Sequence, residues 1–522
     1  MYNSETYKNP FWAENSGFMT GRDPLGIQNS SITLYGSLLP GMTNLTLRLR
    51  YYGLYCWLLN EYGQLDLDNE AKTLQHHYNF IRRAELTIAF LMLNIDPEVT
   101  SVIGSDFAGR NNQQLKGLGM FDISLGADKT KETIKGTVYW DYISGALGQY
   151  YAGSLIALDL IEVSNKFFII KEKGESLARD FGNNISFHAR QTLLAILETG
   201  ILSVNDIDNL IEFAINNIPT DSPEWQFYNT LLINNDGQKS RTSDNRVPSN
   251  RKETIKLYID FTETSEKDWF PEHQFDIVHG GFIEVTETAF GWYYYYLNEA
   301  IHYSIETIFW SMLIELDGKH VLIYDFISGI VASISEGLHT LGIEIKGKTV
   351  KGVIESLTEP VLPDSISTLE NLTKSPKDAS NALGYAFLLF LQIYVLSTER
   401  RERIKEFESK YYLNFQKGHI SEFFSLFIAN QFDSPFPQYL ETIVKMIIND
   451  HISTAYRKMG NGESNLLKFV IEDGIIGHIQ TMSPRFTNPR IRTLHNILTD
   501  MGYINPQGKA TELGKELLKE IS

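Results

Sequence analysis

The chain has 522 residues, of which 43% are hydrophobic and 21% are charged, a composition that excludes a disordered chain and is typical of globular proteins. It contains 46 Lys and Arg against 64 Asp and Glu, and the net charge of −18 excludes a protein that coats nucleic acid through its overall field. The single cysteine, Cys56, excludes a disulfide framework and a cysteine-based zinc cluster.

Neither a signal peptide nor a membrane-spanning helix is predicted. The N-terminal stretch MYNSETYKNPFWAENSG is polar and aromatic, with no basic region followed by an apolar one. The most apolar stretch, Ala382 to Leu396, is fifteen residues long, and a spanning helix needs about 20. We predict that this stretch is a buried core helix and that the protein is cytoplasmic, without membrane contact.

Residues 1–135 are predicted to form an N-terminal helical domain with a loop-rich leader. Glycine and proline recur through residues 1–40 and disfavour long helices there. From Thr43 onward, apolar residues follow helical spacing in LTLRLRYYGLYCWLLNEY and again in LQHHYNFIRRAELTIAFLML. His77 and Glu85 lie on the second helix, and we interpret their surroundings as a solvated face with internal ion pairs rather than as a metal site.

Residues 136–184 have the sequence pattern of a winged-helix-like unit. A short helix, SGALGQYYAGSLIALDLI, precedes two short apolar runs around Ser164-Asn165, and a further helix starts after Gly174. From Gly136 to Asn165 there is no Lys or Arg, so this segment cannot neutralise phosphates. We therefore predict that this unit contacts protein rather than DNA.

Residues 185–450 are predicted to be helical. The segment 185–252 fits two or three helices and ends in DGQKSRTSDNRVPSNRK, a polar and basic stretch that predicts a flexible loop. The segment 253–450 contains long aromatic and aliphatic runs such as WYYYYLNEAIHYSIETIFWSMLIEL, which predict helices buried on more than one side. We expect a central all-helical body here.

Residues 451–522 repeat the pattern of the first winged-helix-like unit. A helix, RIRTLHNILTDMG, precedes a turn at Asn505-Pro506-Gln507-Gly508 and a final helix. Gly514-Lys515-Glu516-Leu517 takes the place that Gly174-Glu175-Ser176-Leu177 has in the first unit. The predicted fold class is therefore mainly α: a helical body with two winged-helix-like units, one N-terminal and one C-terminal.

One spacing suggests a metal-dependent nuclease. Restriction-type nucleases hold a divalent cation with an Asp and the acidic residue of an Asp/Glu-x-Lys pair, while the Lys assists the attacking water. Asp325 with Glu344 and Lys346 has this spacing. Because Asp325 falls in a helical pattern and Glu344 in a connection, we interpret the spacing as structural and keep catalysis by these residues only as an alternative. No motif for nucleotide hydrolysis or a serine nucleophile occurs.

The C-terminal unit differs from the first in its charge. The stretch MSPRFTNPRIRTLHNILTD carries three arginines and a histidine against one aspartate, and AYRKMGNG upstream adds two cations. With Asn488 as helix cap and Pro489 in the first position, Arg490 and Arg492 would lie in the first turn, where recognition helices meet DNA. The alternative is that these arginines pair with acidic neighbours such as Glu472. The candidate DNA-binding residues are Arg457, Lys458, Arg485, Arg490, Arg492 and His495.

Three stretches resemble a group of bacterial proteins. They are GRDPLGIQNSSITLYGSLLPGMTNLTLRLRYYGLYCWLL, FIRRAE and HISTAYRKM…NLLKFVIEDG. They are similar to winged-helix proteins of anti-phage defence or restriction-type gene clusters. The resemblance implies a cytoplasmic bacterial subunit that acts with neighbouring gene products, and it assigns no catalytic residues.

These observations favour a non-enzymatic subunit or adaptor of a DNA-directed bacterial complex, in anti-phage defence. Its expected partners are proteins encoded nearby, such as helicase, nuclease or ATPase subunits, with DNA contact through the C-terminal winged helix. The alternatives are the metal-dependent nuclease and a ligand-responsive transcriptional regulator, which would bind one operator sequence tightly as a dimer. We expect neither a cofactor nor a bound metal.

Overall fold

The computed structural model describes residues 23–65, 73–233, 250–281, 285–460 and 466–519. The protein is mainly helical, with 66% helix and 6% strand, which confirms the predicted mainly α class. Most of the predicted flexible loop, Asp236 to Lys252, lies outside the described residues.

The helices range from a single turn to 30 residues. In chain order they are α1 (Asn29–Leu38), α2 (Arg50–Gln64), α3 (Leu74–Ile95), α4 (Ser105–Leu118), α5 (Ile123–Ala127), α6 (Ala152–Ala157), α7 (Glu172–Asn183), α8 (Phe187–Thr199), α9 (Val204–Asn209), α10 (Pro223–Tyr228), α11 (Arg251–Thr264), α12 (Phe270–Gly280), α13 (Glu287–Leu316), α14 (Ile323–Thr340), α15 (Val350–Ile354), α16 (Leu362–Thr373), α17 (Ala379–Leu396), α18 (Arg401–Lys410), α19 (Ile420–Phe423), α20 (Phe436–Gly460), α21 (Ile491–Asp500) and α22 (Glu512–Lys519). The strands are β1 (Met120–Asp122), β2 (Ile161–Ser164), β3 (Phe167–Ile170), β4 (Ile201–Ser203), β5 (His320–Leu322), β6 (Phe469–Glu472) and β7 (Ile475–His478).

The chain forms two compact units, each assembled from two separate segments. Unit 1 comprises Met1–Leu34 and Pro271–Thr487, and unit 2 comprises Tyr35–Phe270 and Asn488–Ser522. Most of the predicted central body, 253–450, falls in unit 1. Both segments predicted to be winged-helix-like contribute to unit 2, although the C-terminal one divides after Thr487.

Unit 1 is organised around the long helix α13, which is buried on almost every side. Helix α17 packs beside it, and α14 crosses α17 where Gly337 meets Gly384. A Cβ atom on either glycine would lie under 3 Å from the other's Cα, so only glycine allows this approach. Among the described residues, Pro376–Leu396 is the one helix long and apolar enough to cross a membrane, and 72% of its apolar window is buried inside the protein. The predicted buried core helix is thereby confirmed.

Unit 1 also contains a small antiparallel sheet with the order β5-β7-β6. Strand β5 connects α13 to α14, whereas β6 and β7 form a hairpin that follows α20. The hairpin turns at Asp473-Gly474, both with positive φ, as a tight two-residue turn requires. The last strand of this sheet therefore lies between the other two.

Unit 2 contains two further two-stranded antiparallel sheets, β1–β4 and β2–β3. Its helical core pairs α2 with α7, where Gly53 lies against the ring of Phe181. Hairpin β2–β3 turns at Asn165-Lys166, both with positive φ, so the predicted hairpin is confirmed with its turn one residue later. The predicted helix before it is a π-helical turn, Leu147–Tyr151, followed by the short α6.

Two predictions about local structure are wrong. Residues 1–40 were predicted to be a loop-rich leader, but in their described part α1 forms a ten-residue helix because Leu34, Tyr35 and Leu38 are buried in the protein. The helix predicted to start after Gly174 begins three residues earlier, at Glu172, with two acidic residues in its first turn. Negative charge there complements the helix dipole.

Candidate nucleic-acid interface

The β2–β3 hairpin and a second, shorter hairpin, which is closed by the single bridge between Ile504 and Ala510, have matching backbone hydrogen bonds in unit 2. In the first, the Leu160 N–H donates to Leu155 O and the Lys171 N–H donates to Leu160 O, at 2.9 and 3.0 Å. The corresponding bonds of the second are Tyr503 N–H to Leu498 O and Thr511 N–H to Tyr503 O, also at 2.9 and 3.0 Å. The repeated sequence pattern therefore corresponds to a repeated backbone geometry.

The glycines of the repeat explain why its sequence is restricted. A Cβ atom on Gly174 would overlap the carbonyl oxygen of Leu160, and one on Gly514 would overlap that of Tyr503. In each case the overlapped carbonyl is the one that accepts the hydrogen bond from the start of the next helix. The two glycines thus allow the helix after each hairpin to lie directly against the residue that precedes the hairpin.

The FIRRAE stretch on α3 has a structural role in unit 2. Arg82 is fully buried and donates to the carbonyl oxygens of Ala127, Trp140 and Tyr142, with 2.9 Å to Trp140. Because a guanidinium has several donors in a fixed plane, one side chain can hold three backbone carbonyls. Arg82 therefore fixes the segment that leads from α5 to the first hairpin unit.

Glu85 holds the other end of the same segment. Its Oε1 accepts hydrogen bonds from the Tyr55 hydroxyl at 2.7 Å and the Leu147 N–H at 2.8 Å. Its Oε2 accepts from the Tyr139 hydroxyl and from the Ala146 N–H at 3.0 Å. Burial raises the pKa of Glu85, and these four donors oppose that rise.

The predicted solvated face of α3 is therefore wrong. His77, Arg82 and Glu85 are each no more than 1% exposed, and burial lowers the pKa of His77 to about 4. Helical periodicity does not distinguish a polar face in water from a polar face buried against backbone carbonyls and amides. Only the surrounding loop, supplied by residues 127–147, decides between the two.

The predicted start of the C-terminal helix is also wrong. Helix α21 begins at Ile491, and its N-cap residue is Arg490 with φ of +67°, so neither Asn488 nor Pro489 takes the predicted position. The Arg490 guanidinium donates to Leu39 O at 3.1 Å and lies 4.9 Å from the centre of the Tyr35 ring. Burial lowers the pKa of Arg490, and its charge is directed into unit 2.

Two more of the candidate DNA-binding residues are used inside the protein. In unit 1, Lys458 is 3% exposed and its Nζ donates to Asp23 O at 2.6 Å. In unit 2, His495 Nδ1 lies 3.0 Å from the Tyr258 hydroxyl, and burial lowers the pKa of this histidine. Both side chains are held by contacts within the chain.

The remaining three candidates have more accessible side chains. Arg485 in unit 1 and Arg492 in unit 2 are exposed, and Arg457 is half-buried with its Nε 3.4 Å from Ser453 O. The alternative pairing of the arginines with Glu472 or Asp473 is not found among the described residues. Within unit 2, Arg492 on α21 is the predicted cation with a side chain open to solvent.

A cleft of about 630 Å³ lies beside the second hairpin in unit 2. Arg48 and Asp500 form an ion pair in it at 2.7 Å, and burial raises the pKa of Asp500 to about 6 although Arg48 opposes the rise. Asp96 and Glu98 also line the cleft. Because three carboxylates accompany one guanidinium that is already paired, this cleft is not suited to phosphate.

The nuclease alternative is contradicted by the structure. Asp325 is exposed in the first turn of α14, whereas Glu344 and Lys346 lie in the loop beyond its opposite end. The helix from Asp325 to Thr340 spans roughly 22 Å at 1.5 Å per residue, and metal–oxygen bonds are only about 2.0–2.6 Å long. Among the described residues, no group of three or more His, Cys, Asp and Glu side chains could hold a metal ion.

The stretches that carry the resemblance contact one another within the units. In unit 1, the His451 imidazole bonds to Pro24 O at 2.9 Å, next to the bond from Lys458 to Asp23. In unit 2, the Tyr55 hydroxyl of the N-terminal stretch donates to Glu85 Oε1 of FIRRAE at 2.7 Å. In unit 1, His451 and Lys458 bind backbone carbonyls of the N-terminal stretch. Such pairs, a buried cation and a distant carbonyl, leave no signal in sequence spacing.

Comparisons with known proteins add no assignment to this geometry. A scan against protein-family profiles, a search of curated proteins and a search of solved structures each find no match to the chain.

Proposed function

We propose that this chain is a non-enzymatic subunit or adaptor of a DNA-directed bacterial complex, with anti-phage defence as its setting. The observation that carries the proposal is the repeated helix–hairpin–helix geometry of unit 2, which we interpret as a pair of winged-helix-like elements. The two elements differ in charge. The first element, which has no Lys or Arg from Gly136 to Asn165, is assigned to protein contact. The second element has an exposed arginine, Arg492, which is assigned to DNA contact.

The sheet of unit 1 supports the same interpretation. In chain order, unit 1 contains helix α13, strand β5 and helix α14, and later helix α20 and the β6–β7 hairpin. Strand β7 pairs with both β5 and β6. Winged-helix domains have this order of elements and this strand pairing. In unit 1 the segment between α14 and α20 would then be a helical insertion.

The hairpin tips favour protein contact over DNA contact. The tip of β6–β7 carries Glu472 and Asp473, and β2 carries the exposed Glu162. Carboxylates at these positions repel phosphates, whereas they suit a partner with basic side chains. The proposed adaptor role therefore assigns the β2–β3 and β6–β7 hairpins to protein contacts.

The DNA contact of the proposal rests on Arg492. One phosphate contact gives a slope of about −0.9 for the logarithm of affinity against the logarithm of salt concentration. Affinity for a 20-base-pair duplex should then fall about 3.5-fold between 50 and 200 mM salt. Arg492→Ala should remove this contact and with it the dependence of affinity on salt.

Fluorescence anisotropy with a labelled duplex tests the DNA contact. Arg179→Ala is the matched control, because Arg179 is an exposed arginine on α7, the helix that follows the first hairpin. We expect this variant to keep the wild-type affinity and salt slope. Equal losses in both variants, or no binding by the wild type at 50 mM salt, would contradict DNA contact through Arg492.

The adaptor half is tested separately by expressing the chain together with the products of adjacent genes. A stable complex on size-exclusion chromatography is the expected result. A chain that elutes alone under every co-expression condition would count against a subunit role, whatever the DNA measurement shows.

A further inference from the structure

We infer that the outer face of the β1–β4 sheet in unit 2 is a docking surface for a basic amphipathic segment of a partner protein. This inference rests on the proposed adaptor function and names the surface and the chemistry of the segment that it accepts.

The sheet has an approximately two-fold arrangement. Helices α4 and α8 each end at a left-handed glycine, Gly119 and Gly200, and each glycine is followed by a three-residue strand and a short helix. The N–H of Val204 donates to Gly119 O at 3.0 Å, and the N–H of Ile123 donates to Gly200 O at 2.6 Å. These reciprocal bonds place both strand ends and both following helices around one small sheet.

One face of this sheet is in the core, and the opposite face carries the exposed side chains of Met120 and Ile201. Phe121 and Leu202 are paired and buried at no more than 5% exposure. Their neighbours in sequence have the opposite orientation because successive strand residues alternate between faces. Five large apolar side chains on these strands and on the helix ends beside them are exposed, and we call this set the apolar patch: Leu118 (67% exposed), Met120 (55%), Leu125 (73%), Ile201 (39%) and Val204 (38%).

The exposed area of the apolar patch is comparable with the apolar part of an interface. Five large side chains with roughly 100 Å² exposed each give about 500 Å². A standard interface buries about 800 Å² per partner, of which slightly more than half is apolar. The patch alone thus supplies about the apolar area that one side of such an interface needs.

The rim of the apolar patch decides between possible occupants. Asp122 lies opposite Ile201 in the sheet, and Glu198, Asp206 and Asp208 flank the second half of the patch. Lys116 flanks the first half, and Arg83 reaches Glu198 O but is paired with Asp128. A second copy of this chain would bring the same acidic rim against it, and like charges across an interface are unfavourable. A partner segment with an apolar face and Lys or Arg at its margins complements both features.

A synthetic 14-residue amphipathic peptide of Leu and Lys with helical spacing is the probe, and a Leu/Glu peptide of the same spacing is its counterpart. We expect the Leu/Lys peptide to bind the full chain in fluorescence anisotropy and the Leu/Glu peptide not to bind. The double substitution Leu118→Ser with Leu125→Ser should weaken binding of the Leu/Lys peptide at least tenfold. The double substitution Glu198→Lys with Asp208→Lys should also weaken binding of this peptide, and it should reduce the dependence of the affinity on salt. Both side chains of the first pair are largely exposed, so the fold should persist.

Phe187→Ser is the control for non-specific apolar binding, because Phe187 is 77% exposed at the opposite end of α8. It should change the affinity less than twofold. Absence of Leu/Lys binding, equal binding of both peptides, or equal losses in the Phe187 variant would overturn the inference. A dimer in sedimentation velocity that dissociates in the Leu118/Leu125 variant would assign the patch to a second copy instead. None of these results depends on Arg492, so a failed DNA contact and a failed docking surface are distinguishable.

Discussion

Removing the Glu85 carboxylate should destabilise unit 2 strongly. Glu85→Ala leaves two hydroxyls and two backbone N–H groups without their acceptor in a site that water does not reach. An unsatisfied buried donor costs about 1–3 kcal/mol. Since the tyrosine hydroxyls can rotate toward new partners but the amides of Ala146 and Leu147 cannot, we expect a net loss of about 3–5 kcal/mol.

Thermal unfolding followed by circular dichroism measures this loss. For a unit of this size, 1 kcal/mol corresponds to about 2–4 °C in Tm, so Glu85→Ala should lower the Tm by about 6–20 °C. Glu175→Ala is the control, because Glu175 is exposed on α7 and such surface changes stay within about 0.5 kcal/mol. If the two variants lost the same small amount, the argument that Glu85 organises residues 127–147 would be refuted.

The pH dependence of the same site gives an independent readout. The pKa of Glu85 is raised in the folded protein, so on raising the pH the unfolded chain loses this proton before the folded one. The contribution of Glu85 to the free energy of unfolding therefore falls as the pH rises from about 4.5, the ordinary pKa of a glutamate, toward the higher pKa in the folded protein. Below this pH range the contribution is constant. Glu85→Gln should remove this slope. A wild type and a Gln variant with parallel stability curves would contradict the raised pKa.

Two further predictions concern the repeat and the cleft of unit 2. Gly174→Ala and Gly514→Ala should each destabilise the protein by about 2 kcal/mol or more, because the added Cβ atom overlaps a backbone carbonyl. Gly153→Ala is the control: the space beside this glycine is open, so the change should be neutral or stabilising by up to about 1 kcal/mol. Equal effects of the three substitutions in urea unfolding would show that the close approach of each helix to the carbonyl is unimportant. For Asp500, whose pKa is raised from 3.8 to about 6, stability relative to Asp500→Asn should fall as the pH rises through this range and level off above it. A difference that stays constant from pH 3.5 to 7, measured by chemical unfolding, would refute the raised pKa.

Local sequence patterns predicted several elements because their physical causes are local. The run from Ala382 to Leu396 is apolar throughout, and such a helix is stable only when it is surrounded by other apolar side chains, as α17 is. The β2–β3 hairpin was predictable because two short apolar runs flank a turn that tolerates positive φ. Local sequence patterns also placed Asp325 in a helix and Glu344 in a connection. Catalysis by these two residues was therefore the weaker interpretation.

Local sequence patterns did not predict the surroundings of side chains whose partners are distant in the chain. Arg490 was predicted to face DNA because it lies in a basic cluster, but its actual partners are Leu39 and Tyr35, some 450 residues earlier. Lys458 likewise binds Asp23 O, 435 residues away. Charge counts show how many cations a segment has, but they do not show which of them are neutralised by folding.

The sequence by itself therefore determined the mainly helical class, the buried apolar helix and the repeat that contains Gly174 and Gly514, since each follows from periodicity or from a local steric requirement. The tertiary structure alone decided which polar groups stay in solvent. It buried Glu85, directed the Arg490 guanidinium against Leu39 and Tyr35, and left Arg492 and the apolar patch exposed, because desolvation depends on whatever the fold places against each group.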